Sequence, residues 1–106
     1  MTPYEQDDIR SILRRVYSPE IVSRWNINER VAETLLEISA QIGNCSKVMD
    51  LIPRPMPAGT RSMRYISKEA RRALIRQLKD DESYIICIKA ASAGYRTQFE
   101  EASAGY

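Results

Sequence analysis

The side chains best equipped for chemistry in this chain are cationic. Arg61, Arg64, Lys68, Arg71, Arg72 and Arg76 fall within a short stretch whose text is RSMRYISKEARRALIR. A guanidinium is a planar fork that fits a phosphate bidentately, and each neutralised phosphate releases counterions. Such residues on one surface would bind nucleic acid with a steep dependence on salt. Tyr65 adds a ring able to stack on a base. Residues 54–79 carry eight Lys/Arg against one acid, residues 1–53 carry six against eight, and residues 80–106 carry two against five, within a net charge of +2. The competing reading is a solvated face, or one that pairs internally with the acidic tail or with Asp7, Asp8 and their neighbours.

A second set is aromatic. Tyr95, Phe99 and Tyr106 lie on a run of residues 84, 88, 91, 95, 99, 102 and 106, spaced by fours and threes. Aromatic side chains carry much of the energy at protein interfaces. The pentapeptide ASAGY occurs twice here, at 91–95 and 102–106. Eleven residues are close to three helical turns, so both copies face the same way on a helix. Each offers a tyrosine preceded by small residues that let another backbone approach. Gly94 costs a helix about 1 kcal/mol relative to Ala, which points to close packing or a bend. The repeat also reads as core, or as an extended tag.

Other chemistry is removed. The chain has no histidine, which excludes Ser-His-Asp and Cys-His catalysis and the commonest zinc ligand. Cys45 and Cys87 are too few for a disulfide framework and read as two buried thiols in a reducing cytoplasm. The acids fall mostly on the polar sides of predicted helices. No base, orienter and nucleophile converge, so we expect no enzyme, cofactor or metal site. The start MTPYEQDD has no apolar leader core, and the longest apolar run, residues 84–88, is too short to span a bilayer.

The elements that must position these groups are helical. TPYE opens one helix: Thr2 caps, Pro3 takes the first position and Glu5 completes a capping box. Ile9, Ile12, Leu13 and Val16 follow at helical spacing. SPE opens a second, with Ser18 as cap and Ile21, Val22 and Trp25 as its apolar edge. NIN interrupts it, and Asn28 caps a third helix with Val31, Leu35, Ile38 and Ile42 on one stripe and Leu36 widening it. Gly43 and Asn44 stop that helix. Residues 46–52 offer two more turns before PRPMPAG, whose three prolines forbid a helix interior. Residues 60–66 read as extended. Ser67 caps a basic helix to about Lys79, with Ala70, Leu74 and Leu78 on one side. KDDES breaks the chain. SYIICI has strand composition, with pairing to residues 61–66 as the alternative, but the sustained spacing from Tyr84 onward predicts one long helix.

Residues 36–52, LEISAQIGNCSKVMDLI, are similar to a helix-turn-helix. Ile38, Ser39, Ile42, Gly43, Met49 and Ile52 supply its apolar, small, apolar, glycine, apolar, apolar order. Asn44 departs from that order, and the second helix ends at Pro53 with Lys47 offset by Asp50. A plain helical hairpin fits the same residues.

The sequence therefore predicts an all-α domain, a small bundle of four or five helices with a Pro-rich connection and a long C-terminal helix. The N-terminal helices occupy 1–52, the linker 53–66 and the C-terminal helices 67–106. The expected core is Ile9, Leu13, Val16, Ile21, Trp25, Val31, Leu35, Ile38, Ile42, Leu74, Leu78, Ile85, Ile88 and Tyr95. The function expected is a non-catalytic cytoplasmic adaptor or regulator that binds a protein partner or itself through Tyr95, Phe99 and Tyr106. On that expectation, deleting residues 98–106 abolishes association and leaves the rest folded. The alternative is a small nucleic-acid-binding regulator using Arg61, Arg64, Lys68, Arg71, Arg72 and Arg76.

Overall fold

The computed structural model describes residues 1–42 and 66–105. Cys45, the second half of the helix-turn-helix-like stretch, the proline-rich connection, Arg61, Arg64, Tyr65 and Tyr106 lie outside the described residues. Within them the chain is helical throughout: α1 (Pro3–Val16), α2 (Pro19–Ser23), α3 (Glu29–Ile42), α4 (Lys68–Lys79), α5 (Glu82–Ala90) and α6 (Ser92–Ala104).

Each start has a chemical cause. In α1 the Glu5 N–H donates to the Thr2 hydroxyl (3.3 Å) and the Thr2 N–H donates back to the Glu5 carboxylate (3.2 Å), which closes the capping box. Ser18 accepts from the Ile21 N–H, Asn28 from Val31, Ser67 from Ala70 and Asp81 from Tyr84. Every one of these side chains satisfies an N–H that the helix itself leaves unpaired.

The C-terminal rod expected from the spacing is divided. Ala91 ends α5 and begins α6 with φ −103° and ψ 6°, outside helical values. Its N–H donates back to the Cys87 and Ile88 carbonyls, and the Gly94 N–H donates to Ala91. No side chain caps α6. The Tyr17 hydroxyl instead donates to the Ser92 carbonyl at 3.2 Å, tying the joint to the end of α1. A spacing of fours and threes reports which side of a helix is buried and carries no information on whether its axis bends.

Packing is dominated by α1 against α4 and α3 against α6, with α5 touching α1, α3 and α4. The order of cross-links from Glu5–Arg72, through Asp8–Arg76, to the Arg15 guanidinium donating to the Lys79 carbonyl at 2.7 Å shows that α1 and α4 run parallel. One core joins them: Ile9, Ile12 and Leu13 of α1, Leu35, Leu36 and Ile38 of α3, Leu74, Ile75 and Leu78 of α4, Ile85 and Ile88 of α5, and Phe99 of α6. Val16, Ile21, Ile42 and Tyr95, expected inside, are only partly buried against it. Between α3 and α5 the buried Ser39 hydroxyl lies 2.6 Å from the Leu35 carbonyl and 2.5 Å from the Tyr84 hydroxyl. These groups satisfy one another where water does not reach.

Candidate functional site

The basic helix is the first candidate, and most of its cations are already engaged. Arg72 Nε donates to Glu5 Oε1 at 3.0 Å. Lys79 Nζ donates to Asp8 at 3.1 Å, and Arg76 lies 3.9 Å from the other oxygen of that carboxylate. Arg71 turns inward, is 7% exposed, and faces Glu29 at the start of α3 at 3.6 Å. A guanidinium so enclosed cannot reach a phosphate backbone. Lys68 stands exposed in the first turn of α4. Of the four described members of the basic set, three therefore face carboxylates of α1 or α3.

Glu5 is the hub of this seam and is only 2% exposed. Burial alone pushes its carboxyl up. The Arg72 hydrogen bond, the Thr2 N–H and the charges of Arg71 and Arg72 outweigh burial, and the carboxyl is held below its ordinary range. Sequence reasoning assigned Glu5 to the capping box alone. It does both jobs: one oxygen caps α1 and the other pins α4.

The aromatic set is divided. Phe99 is 0% exposed. Its ring stacks on Trp25 with centroids 5.8 Å apart and meets Tyr17 edge-on at 6.0 Å, and Tyr17 meets Trp25 at 5.2 Å. Phe99 is thus a core residue of its own chain and presents nothing to a partner. Burial, opposed by Arg96 and assisted by Glu100 and Tyr95, pushes the Tyr17 hydroxyl up to about 12. Tyr95 is partly buried at the margin of this cluster. Ala102, about one helical turn after Phe99, is also buried, so removal of residues 98–106 takes out core and not an appendage.

A side of α5 and α6 that the anchors do not occupy faces outward. Ile86 is 62% exposed, one of two large apolar residues so exposed among the described residues; the other is Tyr4 in the first turn of α1. Ile86 is followed along the outward side by exposed Ala90, Ala93, Gly94, Thr97 and Ala104. A Cβ built on Gly94 would meet nothing within 4 Å, so no neighbour in the chain requires glycine there. Lys89, Arg96, Glu100 and Glu101 are also exposed, and Arg96 Nε donates to Glu100 at 2.9 Å along the helix.

Elsewhere the surface offers little. An open depression of about 410 Å³ at the start of α3 is lined by Asn28, Glu29, Arg30 and Glu33, a mixed-charge wall without the apolar sides of a small-molecule pocket. Among the described residues no three Cys, Asp or Glu side chains gather as a metal ion would need. No helix of the described residues is long and apolar enough to cross a membrane. No family model, curated protein or solved structure matches the chain.

Proposed function

We propose that this chain is a non-catalytic helical protein that binds a protein partner through the outward side of α5 and α6. The observation that carries the reading is Ile86, 62% exposed in the middle of a helix whose opposite side is core. Burying what remains exposed of this side chain at an interface is worth about 1–2 kcal/mol. The small residues that follow it allow a second helix to approach closely. Tyr95 contributes at the margin, and Phe99 supports the surface from beneath by fixing α6 on the body. A nucleic-acid surface over residues 61–79 is the weaker reading, because a polyanion there competes with Glu5, Asp8 and Glu29 for the same cations.

A photo-crosslinking residue placed at position 86 tests this in cells that express the chain, with the same residue at exposed Gln77 on α4 as control. The expected result is a protein adduct at 86 and none at 77. An absent adduct at 86, or equal adducts at both positions, refutes the reading.

A further inference from the structure

Arg71 is enclosed without being satisfied. It is 7% exposed, and its Nε is buried with no hydrogen-bond partner among the described residues. The carboxylate that faces it, Glu29, stands 3.6 Å from Nη2, beyond hydrogen-bond distance. The same Glu29 oxygen stands 3.7 Å from the Met1 ammonium, so it is shared between two cations and hydrogen-bonded to neither. The next residue shows the contrast, since Arg72 Nε donates to Glu5 at 3.0 Å. Buried polar groups are hydrogen-bonded with few exceptions, and a buried charge without such bonds costs more than a neutral group. A guanidinium is a rigid fork of N–H donors that accepts nothing. What satisfies it is an acceptor with several oxygens.

The surroundings suit an anion. Arg71 lies in the first turn of α4, where side chains point back toward the helix start. Glu29 opens α3, and its pair with Met1 brings in the start of α1. A helix start carries positive partial charge and N–H groups without acceptors in the helix. Ser67 takes the Ala70 N–H, and those of Lys68 and Glu69 precede it. Formal charge is close to balanced: Arg71, Arg72 and the Met1 ammonium face Glu5 and Glu29, Lys68 adjoins Glu69, and Arg30 and Glu33 line one depression. The end of α6 meets the α3 start at Asn28 and Arg30. The deficit at Arg71 is therefore one of hydrogen bonds and not of charge.

We infer that a small free oxyanion, of which phosphate is the representative, binds the Arg71 fork where α3 and α4 begin, in the place that the Glu29 carboxylate marks without filling. The Glu29 side chain is 49% exposed and swings outward to admit the ion. It lines the open depression of about 410 Å³ together with Asn28, Arg30 and Glu33, which gives the carboxylate room and the ion a way in. A nucleic-acid strand cannot follow to so enclosed a group, whereas a free ion can. An Arg fork takes two oxygens of such an ion in parallel, and the helix starts supply donors to the others. This site lies apart from the outward side of α5 and α6 and does not rest on the partner read there.

The test uses the purified full-length chain in chloride, with phosphate, sulfate or acetate added at constant ionic strength. Titration calorimetry and the Arg71 Nε–H resonance, followed by NMR, need no substitution. Expected are saturable binding of phosphate, a shifted Arg71 Nε–H with slowed solvent exchange, and a urea midpoint that rises with phosphate, as for any ligand of the folded state alone. Arg71→Met keeps the volume and abolishes the response; Arg76→Gln, exposed on the same helix, keeps it. Glu29→Gln removes the competing carboxylate and tightens binding roughly tenfold or more. Sulfate or acetate acting in place of phosphate, with the same dependence on Arg71, supports the oxyanion site and sets its preference. No saturable response to any of the three, an Arg71 Nε–H that does not move, or a response that survives Arg71→Met overturns the proposal. Should Arg71→Met fail to fold, the Nε–H resonance and Glu29→Gln decide. Neither result alters the crosslink expected at position 86.

Discussion

Truncating Phe99 to alanine separates a side chain that holds this molecule together from one that holds a partner. Phe99 is fully enclosed, stacked on Trp25 at 5.8 Å and edge-on to Tyr17 at 6.0 Å. Removing a buried phenylalanine ring costs about 3–5 kcal/mol through lost transfer energy and the cavity left behind. Two aromatic contacts of about 0.5–1.5 kcal/mol each place this site in the upper part of that range. Domains of this size have total stabilities near the lower end of about 5–15 kcal/mol, so Phe99→Ala consumes most of the margin. Urea unfolding followed by Trp25 fluorescence and by far-ultraviolet circular dichroism gives the measurement. With a slope of about 1–3 kcal/mol per molar, the midpoint falls by about 2 M. Phe99→Leu keeps most of the volume and falls much less. An unchanged midpoint in Phe99→Ala, accompanied by loss of association, would show that the ring faces a partner after all. It would return Phe99 to the interface role that its spacing first suggested.

Two further outcomes follow from the α1–α4 seam and from the ASAGY copies. Because the Glu5 carboxyl is held below its ordinary value of 4.5 when folded, the unfolded chain binds more protons there. Its contribution is complete above the unfolded pKa and is lost as pH falls through the folded one. Glu5→Gln is therefore expected to cost roughly 1–3 kcal/mol at neutral pH, and its gap from the wild type, measured by urea unfolding, narrows on acidification; a gap constant down to pH values below 4.5 contradicts the seam. Ser103→Ala removes the hydroxyl that accepts from the Asn26 N–H at 2.7 Å and is expected to cost about 1 kcal/mol. Ser92→Ala leaves the Tyr17 bond, which goes to the backbone carbonyl, and stays within about 0.5 kcal/mol of the wild type by thermal unfolding; equal effects of the two changes refute this division of roles.

Helix starts were the most legible feature. Thr2 with Glu5, Ser18, Asn28 and Ser67 act locally, within one turn, and four residues of text contain the whole interaction. The buried side of each helix was legible for the same reason, as at Ile9, Leu13, Val31, Leu35 and Leu74. Depth was not. Phe99 and Tyr95 share one stripe, yet the first is enclosed and the second only partly so, because enclosure depends on Trp25 and Tyr17 arriving from the other end of the chain. The seam shows the same limit. The charge imbalance of residues 54–79 is visible in the text, and Asp8 was among the acids expected to answer it. That Glu5 rather than exposed Asp7 completes the pairing follows from the parallel packing of α1 on α4, which joins residues sixty-seven positions apart. Ile86 was missed because an isoleucine inside YIICI reads as core. Its exposure follows only from knowing that Ile85 and Ile88 have taken the inward side.

The repeated pentapeptide is where these levels meet. An interval of eleven residues returns a helix to nearly the same side, and the middle positions share their exposure: Ser92 and Ser103 are half-buried, and Ala93 and Ala104 are exposed, whereas Ala102 and Gly105 are more enclosed than Ala91 and Gly94. Their partners differ because one copy opens α6 and the other closes it. At the opening, the Ser92 carbonyl takes the Tyr17 hydroxyl. At the closing, Asn28 Nδ2 donates to the Ala102 carbonyl at 3.3 Å and Ser103 takes the Asn26 N–H, while Gly105 passes so close to the Arg30 side chain that a Cβ would collide with it. The two copies thus clamp α6 at both ends, to the α1 terminus and to the entry of α3. On the far side of α6 stand Ala93 and Ala104, the two alanines the repeat places outward. The side of each copy that carries the Ser92 carbonyl and the Ser103 hydroxyl is spent on the body, and the alanines that follow the two serines stay exposed on the other side.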